Sequence, residues 1–326
     1  MSLPISATPV TIVTGFLGSG KTTLINELTA KMPQKKFAVI ENEFGETGID
    51  KELLIGNDGG VFEINGGCIC CTVSGELISW LLNLNKQAPA FDHLIIETTG
   101  VAEPLSIAEP FLSHPLIAQK YRLDAIICLL DSELVAEQLR QEEVVARQIS
   151  AADLILFNKT GSVTAEFLAA LEVKIRQINP FAQILHTQYA KVGGHDLTNL
   201  KAFNPESLEK RQLEVSHHHH HLHDNITSYS ICFTESLDYG KFYQWASQLM
   251  TFQNSRIYRI KGILNFNGRP VKVIFQSVKN KFVMTDGNPW PEGPQSPPRE
   301  SRLVFIGREL KKEILLKHLK RCFAKG

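Results

Sequence analysis

The sequence has no excess of charge of either sign, since 34 lysine and arginine residues balance 34 aspartate and glutamate residues. A chain without a basic surplus lacks the attraction on which nucleic-acid binding usually depends. Long apolar runs are also missing, because no stretch reaches the roughly 18 apolar residues of a membrane span. Residues 1–9 lack the basic segment and long apolar core of a signal peptide. These absences predict a cytoplasmic protein that binds neither nucleic acid nor membranes.

Cysteine is scarce, with six residues in 326, and structural disulfides are rare in the cytosol. Yet Cys68, Cys70 and Cys71 lie within four positions, directly after two glycines. Thiolates bind soft or borderline metals such as Zn²⁺ and Cu⁺. The alternative is a redox pair or three incidental buried cysteines. Because adjacent cysteines are poorly placed for an unstrained disulfide, the turn favours a metal site.

The metal site predicted at this turn lacks a fourth ligand. A structural zinc ion normally has four protein ligands, and no further cysteine pair lies nearby in the sequence. The set could be completed by a partner protein or by Glu41, Glu46 or His114. An incomplete ligand set suits a metal ion that is loaded and then handed on.

Histidine is concentrated in one segment, which holds six of the eleven residues of this type. The segment consists of His217, His218, His219, His220, His221 and His223. A flexible imidazole tract binds Zn²⁺, Ni²⁺, Co²⁺ and Cu²⁺ weakly and with little selectivity. The alternative is a solvated linker without a binding role. We favour metal capture.

A glycine-rich loop follows the first apolar run of the chain. Val10 to Val13 is typical of a buried strand, and Leu24, Ile25 and Leu28 recur at helical spacing. Strand, loop and helix together give the context that a P-loop requires. Its backbone N–H groups and the helix N-terminus would bind phosphate oxygens. Lys21 would bind the β- and γ-phosphates, and Thr22 would bind a Mg²⁺ ion. The predicted nucleotide contacts are Gly15, Gly18, Ser19, Gly20, Lys21, Thr22 and Thr23.

Glu97-Thr-Thr-Gly100 follows another apolar run and occupies the place of a Walker B and switch II element. A carboxylate there holds Mg²⁺, commonly through a water molecule. The Gly100 N–H can bind a γ-phosphate and move when that phosphate leaves. We therefore predict that Lys21 and Glu97 are the catalytic residues.

Asn158-Lys159 follows a core strand and resembles the start of the guanine-reading motif Asn-Lys-x-Asp. The fourth position is Gly161. The missing carboxylate would accept hydrogen bonds from N1 and N2 of guanine, at roughly 1.5–3 kcal/mol for a charge-assisted bond. Asn158 and Lys159 are predicted base contacts, and the alternative is a strand-to-helix turn outside the base pocket.

Short apolar strands alternate with helices over the first two thirds of the chain. Strands are predicted at 10–13, 37–40, 61–64, 94–96, 125–130, 154–157 and 184–185, with helices that include 134–149 and 164–178. This alternation predicts an α/β fold with a mostly parallel sheet. Ligands bind at the carboxyl ends of such strands. The motifs at 15–22, 41–46, 97–100 and 158–159 should therefore converge at one edge.

The composition changes after residue 204. The pattern there predicts a smaller α+β domain. Its predicted elements are a strand at 229–233, a helix around 242–250, a hairpin around Asn267-Gly268, a Pro-rich loop at 287–299, a strand at 303–306 and a helix at 309–323. We predict a P-loop nucleotide-binding domain with the Cys-x-Cys-Cys turn at 1–204. A His-rich linker follows at 205–226 and a C-terminal domain at 227–326.

The order of four motifs resembles the CobW family of P-loop GTPases. The motifs are the P-loop, Glu-Asn-Glu-Phe-Gly-Glu at 41–46, Gly-Gly-Cys-Ile-Cys-Cys at 66–71 and Glu-Thr-Thr-Gly at 97–100. That family is related to the urease and hydrogenase maturation GTPases. The resemblance covers nearly the whole chain, because Leu-Val-Phe-Ile-Gly at 303–307 and the final helix match the family's C-terminal domain.

The resemblance implies GTP hydrolysis, with Mg²⁺, coupled to delivery of zinc, or cobalt or nickel, to a client metalloprotein. It makes Glu41, Glu46, Cys68, Cys70 and Cys71 metal-site candidates. We also expect a nucleotide-dependent homodimer. Gly161 departs from the family pattern. Two alternatives stay open: an ATP-using P-loop enzyme, such as a small-molecule kinase, and a metal-buffering protein in which nucleotide is vestigial.

Overall fold

A computed structural model describes residues 7–41, 53–55, 61–65, 73–87, 90–203, 226–253, 255–293 and 296–324. The chain divides into two compact units. Of the described residues, one unit contains those within 7–176 and 182–202, and the other contains those within 177–181 and 203–324. The domain boundaries at 204 and 226 stay a prediction, since residues 204–225 lie outside the described part.

In the described residues of the first unit, eight strands form one sheet in the order β3-β4-β2-β5-β1-β6-β7-β8. All neighbours pair in parallel except β3 with β4. This confirms the predicted mostly parallel α/β sheet. The strands are β1 (Thr8–Thr14), β2 (Phe37–Glu41), β3 (Leu53–Ile55), β4 (Val61–Asn65), β5 (His93–Glu97), β6 (Tyr121–Asp131), β7 (Leu154–Asn158) and β8 (Gln183–His186).

Helices connect these strands and cover the sheet, which explains why its central strands are apolar on both faces. Every residue of β7 is buried, and so is every residue of β6 except Arg122. The helices are α1 (Lys21–Lys31), α2 (Val73–Gln87), α3 (Pro104–Ser113), α4 (Pro115–Lys120), α5 (Val135–Gln141), α6 (Glu143–Ala151) and α7 (Ala165–Ile178).

One helical prediction in this unit needs correction. The helix expected over 134–149 is interrupted at Glu142, whose φ of −127° and ψ of 104° are extended. The interruption produces α5 and α6 as separate helices. In α7, Leu171, Ile175 and Ile178 are buried, whereas Phe167 is 41% exposed.

The second unit contains an antiparallel sheet whose order, within the described residues, is β12-β11-β10-β13-β9. Two helices pack on it, and Asp238 caps the first by accepting from Lys241 N at 2.9 Å. The separate antiparallel unit confirms the predicted α+β fold class. Its elements are β9 (Ile226–Phe233), α8 (Tyr239–Phe252), β10 (Ile257–Leu264), β11 (Val271–Val278), β12 (Lys281–Pro289), β13 (Ser301–Arg308) and α9 (Lys312–Leu319).

The sequence-based prediction missed β12 and placed its last residues in a loop at 287–299. The final helix is also shorter than the expected 309–323, because α9 ends at Leu319 and a 3₁₀ turn follows to Cys322. No helix in the described residues combines the length and apolarity required to cross a membrane.

Candidate functional site

The P-loop connects the end of β1 to the start of α1 in a conformation that depends on glycine. Gly15 and Gly20 have φ values of 140° and 104°, which side chains disfavour. A Cβ on Gly15 would lie 2.3 Å from Leu129 O, and one on Gly20 would lie 2.5 Å from Asn158 Nδ2. The loop is therefore packed closely against the ends of β6 and β7.

Lys21 is buried at the start of α1, with 8% of its surface exposed. Its Nζ donates to Gly15 O at 3.0 Å and to Phe16 O at 3.4 Å. Burial lowers its pKa, and the nearby Glu97 carboxylate opposes that effect. The loop's own carbonyls thus hold the ammonium group where the phosphates are predicted to bind.

Thr22 and Glu97 meet at the carboxyl end of β5. Thr22 Oγ1 donates to Glu97 Oε1 at 3.0 Å and to Oε2 at 3.2 Å. A hydroxyl and a carboxylate are the hard oxygen ligands that Mg²⁺ prefers, so the pair fits the predicted Mg²⁺ site. The adjacent Thr23 is exposed on the first turn of α1.

We expect Glu97→Gln to raise the Mg²⁺ concentration required for nucleotide hydrolysis by about 10-fold, because a metal-orienting carboxylate is typically worth 10–100-fold in metal affinity. A Mg²⁺ titration of hydrolysis measures this requirement. Glu27→Gln is the control, since Glu27 pairs with Lys31 on α1. An unchanged requirement in Glu97→Gln would remove Glu97 from the Mg²⁺ site.

The loop after β5 is fixed at both of its ends. Thr98 Oγ1 donates to Thr14 Oγ1 at 2.9 Å. Further along, Gln148 Nε2 on α6 donates to Gly100 O at 3.0 Å and to Ala102 O at 3.2 Å. Gln148 is fully buried, and the sequence-based prediction missed it. A polar residue on the apolar face of an amphipathic helix was the signal that could have indicated it.

Asn158 links the P-loop to the segment that follows β8. It is 3% exposed, and its Nδ2 donates to Ser19 O at 2.9 Å. Its Oδ1 accepts from Thr187 Oγ1 at 3.2 Å and from Ala190 N at 2.9 Å. The structure therefore gives Asn158 a positioning role, and a direct contact between Asn158 and the base stays a prediction.

Lys159 has a φ of 60°. Its Nζ forms an ion pair with Asp131 Oδ2 at 2.6 Å. Asp131 ends β6 and pairs in register with Asn158, the last residue of β7. The sequence did not single out Asp131, which holds the lysine predicted to contact the base.

The predicted metal residues lie mostly outside the described part of the chain. This applies to Glu46, to the Cys-x-Cys-Cys turn and to the histidine tract. Glu41 ends β2, and its backbone pairs in register with Glu97 of β5 and Asn65 of β4. Cys68 follows Asn65 by three positions. Among the residues that the structure does describe, no group of three His, Cys, Asp or Glu side chains could hold a metal ion.

Comparison with known families covers both units. Residues 9–186 match the family described as CobW/HypB/UreG, nucleotide-binding domain. Residues 226–323 match the family described as cobalamin synthesis protein cobW C-terminal domain.

Individual relatives are similar along nearly their whole length. The zinc chaperone YjiA of Escherichia coli is 34% identical, covering 93% of this chain and 95% of the relative. The zinc chaperone CobW of Pseudomonas aeruginosa is 32% identical, covering 97% of this chain and 92% of the relative. The crystal structure of the Zn(II)-bound YjiA GTPase from E. coli superposes with a TM-score of 0.74 at 29% identity, covering 98% of this chain and all of that one.

Proposed function

Because the chain belongs to the CobW/HypB/UreG family of nucleotide-binding proteins, we propose that it is a GTP-hydrolysing metallochaperone. In this proposal Cys68, Cys70 and Cys71 bind zinc, with cobalt or nickel as alternatives, and the ion passes to a client metalloprotein. Zinc is favoured because the relatives YjiA and CobW carry the name zinc chaperone. GTP is favoured because the superposed YjiA is named a GTPase.

The observation that carries the proposal is the register of three neighbouring strand ends. Glu41 lies between Asn65 and Glu97 at the same edge of the sheet. Glu97 contacts the P-loop threonine Thr22, and Asn65 precedes the cysteine turn by three positions. A metal site at 41 and 68–71 would therefore adjoin the predicted Mg²⁺ site.

Hydrolysis in this arrangement is the attack of water on the γ-phosphorus, with cleavage of its bond to the bridging oxygen. Lys21 and the P-loop N–H groups stabilise the charge on the phosphate oxygens. Mg²⁺, when bound, supplies further charge neutralisation, and Thr22 and Glu97 would hold it. Release of phosphate would remove the γ-phosphate contacts that we propose for residues 97–104 and 41–50, and metal binding would weaken.

Coupling between nucleotide and metal is reciprocal, because each ligand must change the affinity for the other by the same factor. We expect a non-hydrolysable GTP analogue with Mg²⁺ to raise Zn²⁺ affinity by about 10-fold, within the usual 1–3 kcal/mol of coupling. Competition against a chromophoric zinc chelator measures the affinity with and without the analogue. Equal affinities would contradict the coupling.

Two controls identify the site in that measurement. The triple variant Cys68→Ser, Cys70→Ser, Cys71→Ser should lose the nucleotide-sensitive zinc binding. Cys232→Ser should retain it, because Cys232 is a half-buried thiol of β9 in the other unit. Alanine replacement of the histidines at 217–221 and 223 should remove only weak, nucleotide-independent binding.

We also propose a nucleotide-dependent homodimer. Its support is the exposure of apolar side chains beside the nucleotide site, since Leu17 of the P-loop and Val101 of the adjoining loop are 61% and 50% exposed. Light scattering with GDP and with the GTP analogue tests this.

The ATP-using alternative gains support if ATP displaces a fluorescent GTP analogue as effectively as GTP does.

A further inference from the structure

Gly161 occupies the position of the aspartate in Asn-Lys-x-Asp, and another side chain lies over it. The Gly161 N–H donates to Gln188 Oε1 at 2.8 Å. A Cβ at residue 161 would lie 3.2 Å from Gln188 Cδ and Oε1 and 3.3 Å from Nε2. The Gln188 carboxamide therefore lies against the position of a side chain at 161 and would have to shift by a few tenths of an ångström to admit one.

Hydrogen bonds hold the backbone on both sides of this contact. Thr160 donates to Thr187 O through its N at 3.3 Å and through its Oγ1 at 3.0 Å. Ala190 N donates to Asn158 Oδ1 at 2.9 Å, and Asn158 in turn holds the P-loop. Gln188 thus lies in a segment fixed to the sheet edge at which the nucleotide is expected.

The orientation of the Gln188 amide follows from its partner. Oxygen and nitrogen of an amide are assigned from their hydrogen bonds, and a backbone N–H can only donate. The atom facing Gly161 must therefore be the oxygen. This leaves the carboxamide with one unused acceptor site and an NH₂ donor.

We propose that Gln188 selects the base in place of the absent aspartate, and that the pocket therefore does not prefer GTP over ITP or XTP. This inference rests on the proposed binding of a purine nucleotide at the P-loop. A carboxylate would favour guanine by accepting hydrogen bonds from its N1–H and its 2-amino group. The carboxamide accepts at most one of these bonds, and its NH₂ donor matches the 2-oxo group of xanthine instead.

The near-isosteric variant Gln188→Glu tests this selection. One carboxylate oxygen keeps the bond from Gly161 N, and the other replaces the NH₂ donor with an acceptor. Displacement of a fluorescent GDP analogue by GTP, ITP and XTP measures relative affinity. We expect the unmodified protein to bind GTP no more tightly than ITP or XTP, within about threefold. Gln188→Glu should prefer GTP over ITP and over XTP by about 10-fold or more, the range of a charge-assisted hydrogen bond.

Gln183→Glu is the matched control, because Gln183 is an exposed glutamine on β8, and it should keep the unmodified ratios. Ratios from one sample do not depend on the fraction that is correctly folded. A GTP preference above 10-fold over ITP in the unmodified protein would overturn the inference, and so would identical ratios in Gln188→Glu. If no nucleotide displaces the probe, the proposed function itself fails. These ratios are independent of zinc coupling.

In Gly161→Asp alone, the Gln188 side chain would have to shift and would still lie beside the new carboxylate. We therefore expect a 10-fold or greater GTP preference over ITP only when Gly161→Asp is combined with Gln188→Ala. A full preference in Gly161→Asp alone would show that Gln188 does not block the position.

Discussion

Replacing Lys21 with alanine is expected to reduce nucleotide hydrolysis by about 10²–10³-fold, the usual effect of removing one preorganised charge-stabilising group. Lys21 Nζ is fixed by two P-loop carbonyls at 3.0 and 3.4 Å, so it is in position before the phosphates arrive. Nothing else in the loop carries a positive side chain, because residues 15–20 are glycine, phenylalanine, leucine and serine. Single-turnover hydrolysis measures the loss.

The Lys21→Ala variant should fold normally, since burial already disfavours this charge, as its lowered pKa indicates. Lys31→Ala is the control on the same helix. Lys31 is partly exposed and pairs with Glu27, an interaction worth about 0.5 kcal/mol. Hydrolysis within threefold of the unmodified rate in Lys21→Ala would exclude the P-loop as the catalytic site. Zinc affinity in this variant should no longer respond to the GTP analogue.

The strands and the P-loop were predictable because their signals are local. Val10 to Val13 is a β-branched apolar run, and glycines at 15 and 20 are required where φ is positive and a Cβ would collide with neighbouring atoms. Because the strands pair in parallel, their carboxyl ends lie at one edge of the sheet, and the motifs that follow them can be placed there from the sequence. The contacts of Thr22 with Glu97 and of Asn158 with Ser19 confirm the predicted convergence for the motifs at 15–22, 97–100 and 158–159, whereas residues 42–46 lie outside the described part of the chain.

Several features were not predictable because they do not depend on the local sequence pattern. The turn between β11 and β12 has Lys279 at a φ of 54°, and without glycine there the sequence carries no hairpin signal. Gln148 contacts a loop 46–48 residues away, and Gln188 contacts Gly161 over 27 residues. Such partners follow only from the assembled sheet, because local periodicity does not encode long-range side-chain contacts.

Asn158→Ala is expected to lower both the free energy of unfolding and the nucleotide affinity. Three hydrogen bonds are lost, which leaves Ser19 O, Thr187 Oγ1 and Ala190 N without this partner. Buried groups that lose their partners cost about 1–3 kcal/mol each, so we expect the free energy of unfolding to fall by about 3 kcal/mol. Urea denaturation measures the change.

Nucleotide affinity separates positioning from general stability. With Ser19 O released from Asn158, the P-loop loses a bond that fixes the N–H groups around the phosphates, and GDP affinity should fall by at least about 10-fold, equivalent to 1.4 kcal/mol. Asn179→Ala is the matched control. Asn179 is equally buried, belongs to the other compact unit and accepts from Phe181 N at 3.1 Å, so its loss should lower stability and leave GDP affinity unchanged. If Asn158→Ala behaved like Asn179→Ala, Asn158 would stabilise the fold without shaping the nucleotide site.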